Sequence, residues 1–416
     1  MVTASRLGNM DKQVQHARVW PVWVVILSAA SIAAVGMGLR QVMGLYLVPV
    51  TETLGLGREA FALAIALANI VWGVAAPFTG AISDKYGTGI VVVFGALMTM
   101  MGLVLMRYAS SDVDLLVSGV FLGLGVAGAG VNAVVGAVGR VAPPEERSAA
   151  IASIGMGSGV GILIALPYAH LVLEHLGWQQ SLLVLASTAA VILLLAIPVS
   201  GRPEHPTTSE PAQSLVAALI EAFKYPSFWL LNAGFFVCGF HVVFYGTHLP
   251  AFVADQGLSP DVGVWGLMIV GLGNLIGTYL AGQWGRFYSK RYGLSLIYIG
   301  RALVFLGFLV LPITPFTVIA LSGVLGLLWL STVPLTTSLV ATFFGAKWMT
   351  MLYGIVFFSH QLGSFLGVWL GGAIYDRYQS YDVMWWISLA LGVIAAAVHW
   401  PIDERPVSRL RAKPAE

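Results

Sequence analysis

Twelve apolar stretches, each long enough to cross a lipid bilayer, fill most of this 416-residue chain, and nearly all charged residues lie between them. A helix of about 20 residues covers the roughly 30 Å hydrocarbon core of a membrane. Barrel strands would instead alternate polar and apolar residues over about ten positions. The sequence therefore predicts an all-α membrane protein with twelve transmembrane helices. These stretches begin near Val22, Ala60, Gly89, Leu115, Ala149, Ser181, Trp229, Gly263, Leu294, Phe316, Thr350 and Val383.

The composition excludes a soluble domain. Hydrophobic residues make up 58% of the chain and charged residues 10%, with a mean hydropathy of +0.86, whereas about a quarter of a soluble domain is charged. The polar first 19 residues show no cleavage site, so we expect the first span to act as an uncleaved insertion signal. Cys238 is the single cysteine, which excludes an internal disulfide. No cluster suits a metal or a nucleophile, so we expect no cofactor, no enzymatic activity and no nucleic-acid partner.

The basic residues indicate the orientation. With the N-terminus in the cytoplasm, sixteen of the 21 lysines and arginines fall in cytoplasmic segments. Three fall outside (Arg58, Arg107 and Arg377), and Arg40 and Arg301 lie within spans. Because basic residues accumulate in cytoplasmic loops, we predict two cytoplasmic termini and a multi-pass protein of the plasma membrane, the inner membrane in a bacterium.

A long polar connection divides the chain. Residues 1–200 form an N-terminal six-helix half, residues 201–226 a cytoplasmic central loop, and residues 227–416 a C-terminal six-helix half. The sequence Asp-Lys-Tyr-Gly at 84–87 has a degenerate counterpart, Lys-Arg-Tyr-Gly, at 290–293. Equivalent loops in two halves are typical of a duplicated transporter with pseudo-symmetric halves.

The loop between spans 2 and 3 carries the most specific motif. Gly80, Asp84 and Gly87 fit the pattern G-x-x-x-D-x-x-G, and together with the layout of spans the chain resembles the major facilitator superfamily over its whole length. The resemblance implies the major facilitator fold and a conformational gating role for these residues, with Arg140 as a partner of Asp84. The alternative is that Asp84 only marks a solvated loop.

Charge inside the membrane points to an anion. None of the 19 acidic residues falls in the middle of a span, whereas Arg40 and Arg301 lie within spans. An arginine in a low-dielectric cavity without a carboxylate partner is suited to bind an anion. The alternatives are that Arg40 snorkels to the membrane surface and that Arg301 has a structural role.

Polar side chains in the second half complete the predicted site. His241, Tyr245 and His248 recur at spacings of four and three, on one face of span 7, and His360 and Gln361 fall in the middle of span 11. A histidine in a helix is also commonly a satisfied hydrogen-bonding group. The predicted substrate-binding residues are Arg40, His241, Tyr245, Asn274, Trp329, His360 and Gln361.

Within the superfamily, the segments 38–50 and 371–376 resemble the monocarboxylate transporter branch and its bacterial relatives, in which a basic residue at the place of Arg40 helps to hold the substrate carboxylate. The charged pair of that branch in span 8 is missing, since Asn274 is the polar residue there. We predict a monomeric secondary transporter that moves a small organic anion, such as a carboxylate, by alternating access, with proton coupling left open. The alternative substrate is a larger, weakly charged aromatic compound, a vitamin or a drug.

Overall fold

A computed structural model describes residues 20–143, 147–200, 214–345 and 348–410 of the chain. The described residues contain helices and no strand. In the first half, span 1 comprises Val22–Gln41, a 3-10 segment Val42–Tyr46 and Leu47–Leu54, followed by span 2, Arg58–Tyr86, and span 3, Thr88–Arg107. Span 4 comprises Asp112–Ala129 and Val131–Val141, and spans 5 and 6 share the helical segment Arg147–Leu195.

The second half repeats this order. Its helices are span 7, Pro226–Asp255; span 8, Pro260–Phe287; span 9, Lys290–Val310; span 10, Pro315–Leu327 and Thr332–Phe344; span 11, Met349–Tyr378; and span 12, Asp382–His399. A short helix, Leu215–Phe223, precedes span 7 within the predicted central loop. Below, the terminal end of the bundle is where span 1 begins and span 12 ends, and the distal end is the opposite one.

Spans 5 and 6 form a hairpin within one helical segment. Eleven segments of the described chain are long and apolar enough to cross a membrane, and one of them, Ala150–Leu195, has 46 residues. Gly177 interrupts it with φ of 73°, a left-handed conformation that glycine adopts without strain. The Tyr168 and Thr188 hydroxyls lie 2.8 Å apart across this turn. The segment therefore accounts for two crossings, and the predicted all-helical fold is confirmed.

Small residues allow close packing in the first half. A Cβ on Gly128 would lie 2.6 Å from the Cα of Gly95, which shows that spans 3 and 4 meet backbone to backbone. Gly157 of span 5 meets the backbone of Ala30 in span 1 in the same way. Gly128 and Gly157 thus belong to helix-packing surfaces, as small residues do in other membrane bundles.

The register of the internal repeat differs from the predicted one. Span 2 runs from Arg58 to Tyr86, and span 8 runs from Pro260 to Phe287, so that equivalent positions lie about 202 residues apart rather than 206. Gly80 then corresponds to Gly282, and Asp84 corresponds to Arg286. The four-residue match at 290–293 was misleading because Lys290 already begins span 9, whereas its supposed counterpart ends span 2.

A cavity between the two halves and a network that closes one end

A small cavity lies between the halves, in the middle of the bundle. Its volume is about 50 Å³, and spans 1, 2, 3, 4 and 7 line it. The lining is mostly apolar, with Leu39, Met43, Ile65, Leu122 and Val243 among its residues. Arg40 is the one charged side chain that lines the cavity in the described part of the chain.

Arg40 is held from one side only. Its Nη2 donates to Asn69 Oδ1 at 3.0 Å, and its guanidinium lies 5.3 Å from the centre of the Trp72 ring. Asn69 is itself fixed by a bond from Nδ2 to the carbonyl of Ile65. No described carboxylate pairs with Arg40, so its charge stays uncompensated in a place where an unpaired charge is costly. An anionic ligand in the cavity would supply the missing charge.

Two further polar residues line the cavity without a described side-chain hydrogen bond. They are Gln41, whose amide lies against Gly246 of span 7, and Thr247, which comes from the other half. Thr99 also lines the cavity, but its hydroxyl already donates a hydrogen bond to the carbonyl of Gly95. The cavity lining therefore holds one positive charge and two polar residues without a described side-chain hydrogen bond, on otherwise apolar walls.

The predicted stripe on span 7 faces away from this cavity. His241 Nε2 lies 2.9 Å from the carbonyl oxygen of Ser388, Tyr245 is hydrogen-bonded to Ser322, and both side chains are fully buried. Span 7 instead presents Val242, Val243, Gly246 and Thr247 to the cavity. The three predicted residues do share a helix face, and in this structure that face packs into the second half.

Span 10 is broken, and two polar residues hold the break. Asn274 Oδ1 accepts a hydrogen bond from Leu330 N at 3.0 Å. Arg301 is fully buried and donates to the carbonyls of Leu328, at 2.7 Å, and Trp329. These carbonyls follow the C-terminus of a helix, where the helix dipole favours a cation. In this structure Arg301 has the structural role that the sequence left open.

The other predicted residues lie next to the cavity rather than in its lining. Trp329 packs against Tyr245, with ring centres 6.0 Å apart, and its ring lies beside Gly246. His360 Nδ1 lies 3.1 Å from Gln361 Oε1. Trp72 touches the ring of Phe357, which stacks on His360. Arg40 is thus the one predicted binding residue that lines the cavity.

The gating motif is described in part. Gly87 ends span 2 with φ of 101° and allows the tight turn into span 3. A Cβ on Gly80 would meet nothing within 4 Å, so Gly80 makes no close approach here. The side chains of Asp84 and Arg140 lie outside the described residues.

A polar network closes the distal end between the halves. The Asp376 carboxylate of span 11 accepts hydrogen bonds from the backbone N–H groups of Arg58, at 2.9 Å, and Glu59, at 2.8 Å. It caps span 2 from another helix, because Gly57 at the cap position has no side chain. The Arg58 guanidinium makes two bonds of 2.6 Å to Asp255 of span 7 and lies over the Tyr375 ring.

The described hydrogen bonds and ion pairs between the halves lie at this end. Besides the Arg58 contacts, they are the bond from Trp369 Nε1 to Glu59 at 2.9 Å and the His170–Asp261 pair at 2.8 Å. The structure therefore joins the halves by polar contacts beyond the cavity on the distal side.

The sequence held a signal for part of this site. Ile65, Asn69 and Trp72 recur at spacings of four and three on one face of span 2, which is the pattern of a helix face. That pattern could have placed Asn69 and Trp72 beside Arg40. Gln41 and Thr247 gave no such signal, since single polar residues occur on every side of these helices.

The geometry is that of a polytopic transporter: two six-helix halves with a small, mostly apolar cavity at their interface, into which one arginine is placed. The sequence matches the Major Facilitator Superfamily over residues 24–368, and the protein belongs to that superfamily. The crystal structure of a bacterial homologue of the human lysosomal transporter Spinster, inward-facing and unoccupied, is similar with a TM-score of 0.68, covering 91% of this chain and 96% of that one at 16% identity. The predicted fold, and a transporter rather than an enzyme, are confirmed.

Two relatives with named substrates cover most of the chain. Monocarboxylate transporter 11 of Mus musculus is 27% identical over 378 residues, 85% of this chain and 81% of the relative. The oxalate:formate antiporter of Oxalobacter formigenes is 24% identical over 405 residues, 93% and 94% of the two chains. The resemblance to the monocarboxylate transporter branch is therefore confirmed, at low identity.

Proposed function

We propose that this transporter moves a small organic monoanion, a monocarboxylate, which binds in the cavity with its carboxylate on Arg40. The observation that carries the proposal is the charge of the lining: Arg40 contributes one positive charge, and no described acid opposes it. A carboxylate makes charge-assisted, bidentate hydrogen bonds to a guanidinium. The apolar walls suit the remainder of a short organic acid.

The relatives support a carboxylate substrate. Their names specify monocarboxylates in one case and oxalate and formate in the other. Oxalate carries two negative charges, whereas the described lining has a single cation. For this chain we therefore favour a monoanion over a dianion.

The second candidate, a larger aromatic compound, rests on Trp72, whose ring forms part of the wall. The cavity is small for it, at about 50 Å³, because sites for drug-sized ligands usually measure about 300–1,000 Å³. The Trp72 ring is also occupied by the Arg40 guanidinium on one side and Phe357 on another.

Transport would proceed by alternating access. With cytoplasmic termini, as the positive charges favour, the distal end is external, and the Arg58 network would hold the outward path closed. Opening to the outside would break the Arg58–Asp255 pair and remove the Asp376 cap from span 2. The described cavity lining holds no histidine or acid, so a coupled proton would travel with the substrate or through a residue outside the lining, such as His360.

Ligand-induced thermal stabilisation in detergent tests the proposal. Propionate, oxalate and neutral nicotinamide would be compared on the wild type, Arg40→Gln and Arg40→Lys. A ligand at 100 times its Kd stabilises the folded state by about 2.7 kcal/mol. We expect propionate to raise the Tm of the wild type, to raise that of Arg40→Lys less, and to leave Arg40→Gln unchanged. Stabilisation by nicotinamide alone, equal in all three proteins, would favour the aromatic compound instead.

A further inference from the structure

A second cavity lies on the flank of the second half. It has a volume of about 260 Å³ and lies between the terminal-end parts of spans 8, 9 and 10. Leu280, Leu296 and Leu335 are among its walls, and the Ser331 hydroxyl in it already donates to the carbonyl of Leu327. The rim is open, with Leu280 56% and Leu296 52% exposed. This groove therefore faces the hydrocarbon of the bilayer and suits an apolar chain.

The mouth of the groove has the features of a membrane interface. Trp284 lines the groove, donates to the carbonyl of Ser289 and packs against Tyr288, and aromatic residues of this kind concentrate at the headgroup level. Arg286 is exposed and has no ion pair with a described acid. The stem of Lys290 lies against Gly285, whose nearest neighbour is Leu335 of the groove.

The charge at this mouth is positive. Lys290 Nζ lies 4.0 Å from Glu404, a weak contact, and the other Glu404 oxygen accepts from the Ser289 hydroxyl and the Arg291 backbone N–H. Arg291 donates to the carbonyl of Ile402. The mouth thus has three basic residues and one acidic residue, which leaves an excess of positive charge directly beside an apolar groove. They are Arg286, Lys290, Arg291 and Glu404.

The described residues of the first half pack differently at the equivalent place. Gly125 and Gly128 of span 4 bring it against the backbone of span 3. Span 4 begins at Asp112 and span 10 at Pro315, 203 residues later. The residues of span 10 equivalent to Gly125 and Gly128 are therefore Leu328 and Ser331, which both line the groove. Larger side chains thus keep spans 9 and 10 apart. At the loop, the first half has Asp84 where the second has Arg286, a reversal of charge.

We propose that this groove is a binding site for an anionic phospholipid. One acyl chain lies between Leu280, Leu296 and Leu335, and the phosphate lies at the mouth, with Arg286 and Lys290. The groove alone would accept the tail of any lipid, and the two cations select a headgroup with net negative charge. Basic residues near a membrane surface contribute about 1 kcal/mol each to such binding.

Native mass spectrometry of the delipidated full chain tests this site, with dioleoylphosphatidylglycerol, dioleoylphosphatidylcholine and glycerol 3-phosphate as probes. We expect one molecule of dioleoylphosphatidylglycerol to bind roughly thirtyfold more tightly than dioleoylphosphatidylcholine, which is the ratio that two basic residues near the headgroup give. The Arg286→Gln/Lys290→Gln double variant should lose this preference. Leu296→Trp, which fills the groove, should weaken both lipids.

Lys85→Gln is the matched control, because it removes a basic residue from the equivalent loop of the first half, and it should bind like the wild type. The Tm of each lipid-free variant shows whether it is folded. If the double variant is unfolded, the wild type provides the test instead: its preference for dioleoylphosphatidylglycerol over dioleoylphosphatidylcholine should fall as the salt concentration rises. Equal affinities for the two lipids in the wild type would overturn the proposal. The proposal would also be overturned if Leu296→Trp bound both lipids as tightly as the wild type does. The same holds if glycerol 3-phosphate bound as tightly as dioleoylphosphatidylglycerol.

Discussion

Each half of the bundle contains one arginine in the middle of the membrane, and the two have opposite surroundings. Arg40 precedes a 3-10 segment in span 1, whose backbone groups remain paired within the helix: Val42 N–H donates to the carbonyls of Gly38 and Arg40. Arg301 faces the break in span 10, where the carbonyls of Leu328 and Trp329 are free to accept its protons. The comparison shows that a buried arginine makes few hydrogen bonds to the protein where the backbone beside it needs no donor.

The largest expected effect separates these two arginines by stability. Arg301→Leu leaves two buried carbonyls without a donor, and since each costs about 1–3 kcal/mol, we expect the free energy of unfolding to fall by about 3 kcal/mol. Arg40→Leu is the matched control and should leave the Tm unchanged or raise it, because it removes an uncompensated buried charge. Thermal unfolding in detergent measures both. Equal losses would mean that Arg40 is structural as well.

The distal network gives the next largest effect. In Asp376→Ala, span 2 loses its cap and the closed distal end becomes less stable, by about 1–2 kcal/mol as for other helix caps. We expect about a tenfold increase in the rate at which an impermeant thiol reagent, added at the distal side, labels Gln41→Cys in a Cys238→Ser background.

The control for this experiment is Asp261→Asn, which removes the His170–Asp261 pair from the same end. The Asp261 side chain is 61% exposed, and exposed pairs contribute little, so the labelling rate should change less than about twofold. An equal increase in both variants would show that the Asp376 cap has no special part in closing the distal end.

The two asparagines extend the comparison between the halves. Asn274→Ala removes the acceptor of Leu330 N–H, and we expect stability to fall by about 1–2 kcal/mol with little change in substrate affinity. Asn69→Ala removes the acceptor that orients Arg40, and we expect the substrate Kd to rise about fivefold with little change in Tm. Measuring Tm and Kd for both variants tests this comparison. A loss of affinity in Asn274→Ala alone would indicate that the substrate binds in the second half instead.

Cys238→Ser should have the smallest effect. The Cys238 sulfur lies 3.2 Å from the Thr332 hydroxyl and 3.5 Å from Arg301 Nη2, and a serine hydroxyl can make the same contacts. We expect transport to be retained and the free energy of unfolding to change by less than about 1 kcal/mol. A larger loss of stability would show that the break in span 10 depends on the sulfur itself.

Two parts of the binding-site prediction had different outcomes for a physical reason. Arg40 could be located because a charge in an apolar span has few possible surroundings. The sequence could not decide whether His241 and Tyr245 face the cavity, because span 7 carries apolar residues on every side and is buried on nearly every side. The spacing of residues shows which of them share a helix face, and the packing of neighbouring helices decides what that face meets.

The sequence by itself determined the membrane location, the helical class, the superfamily and the presence of Arg40 within a span, because apolar length and charge placement are local properties that lipid constrains strongly. The tertiary structure decided the hairpin at Gly177, the register of the internal repeat and the capping of span 2 by Asp376. It also decided that Arg301 and Asn274 hold a broken helix and that spans 8, 9 and 10 leave a groove. These features depend on contacts between residues far apart in the chain, and such contacts follow from how the helices pack rather than from any one segment.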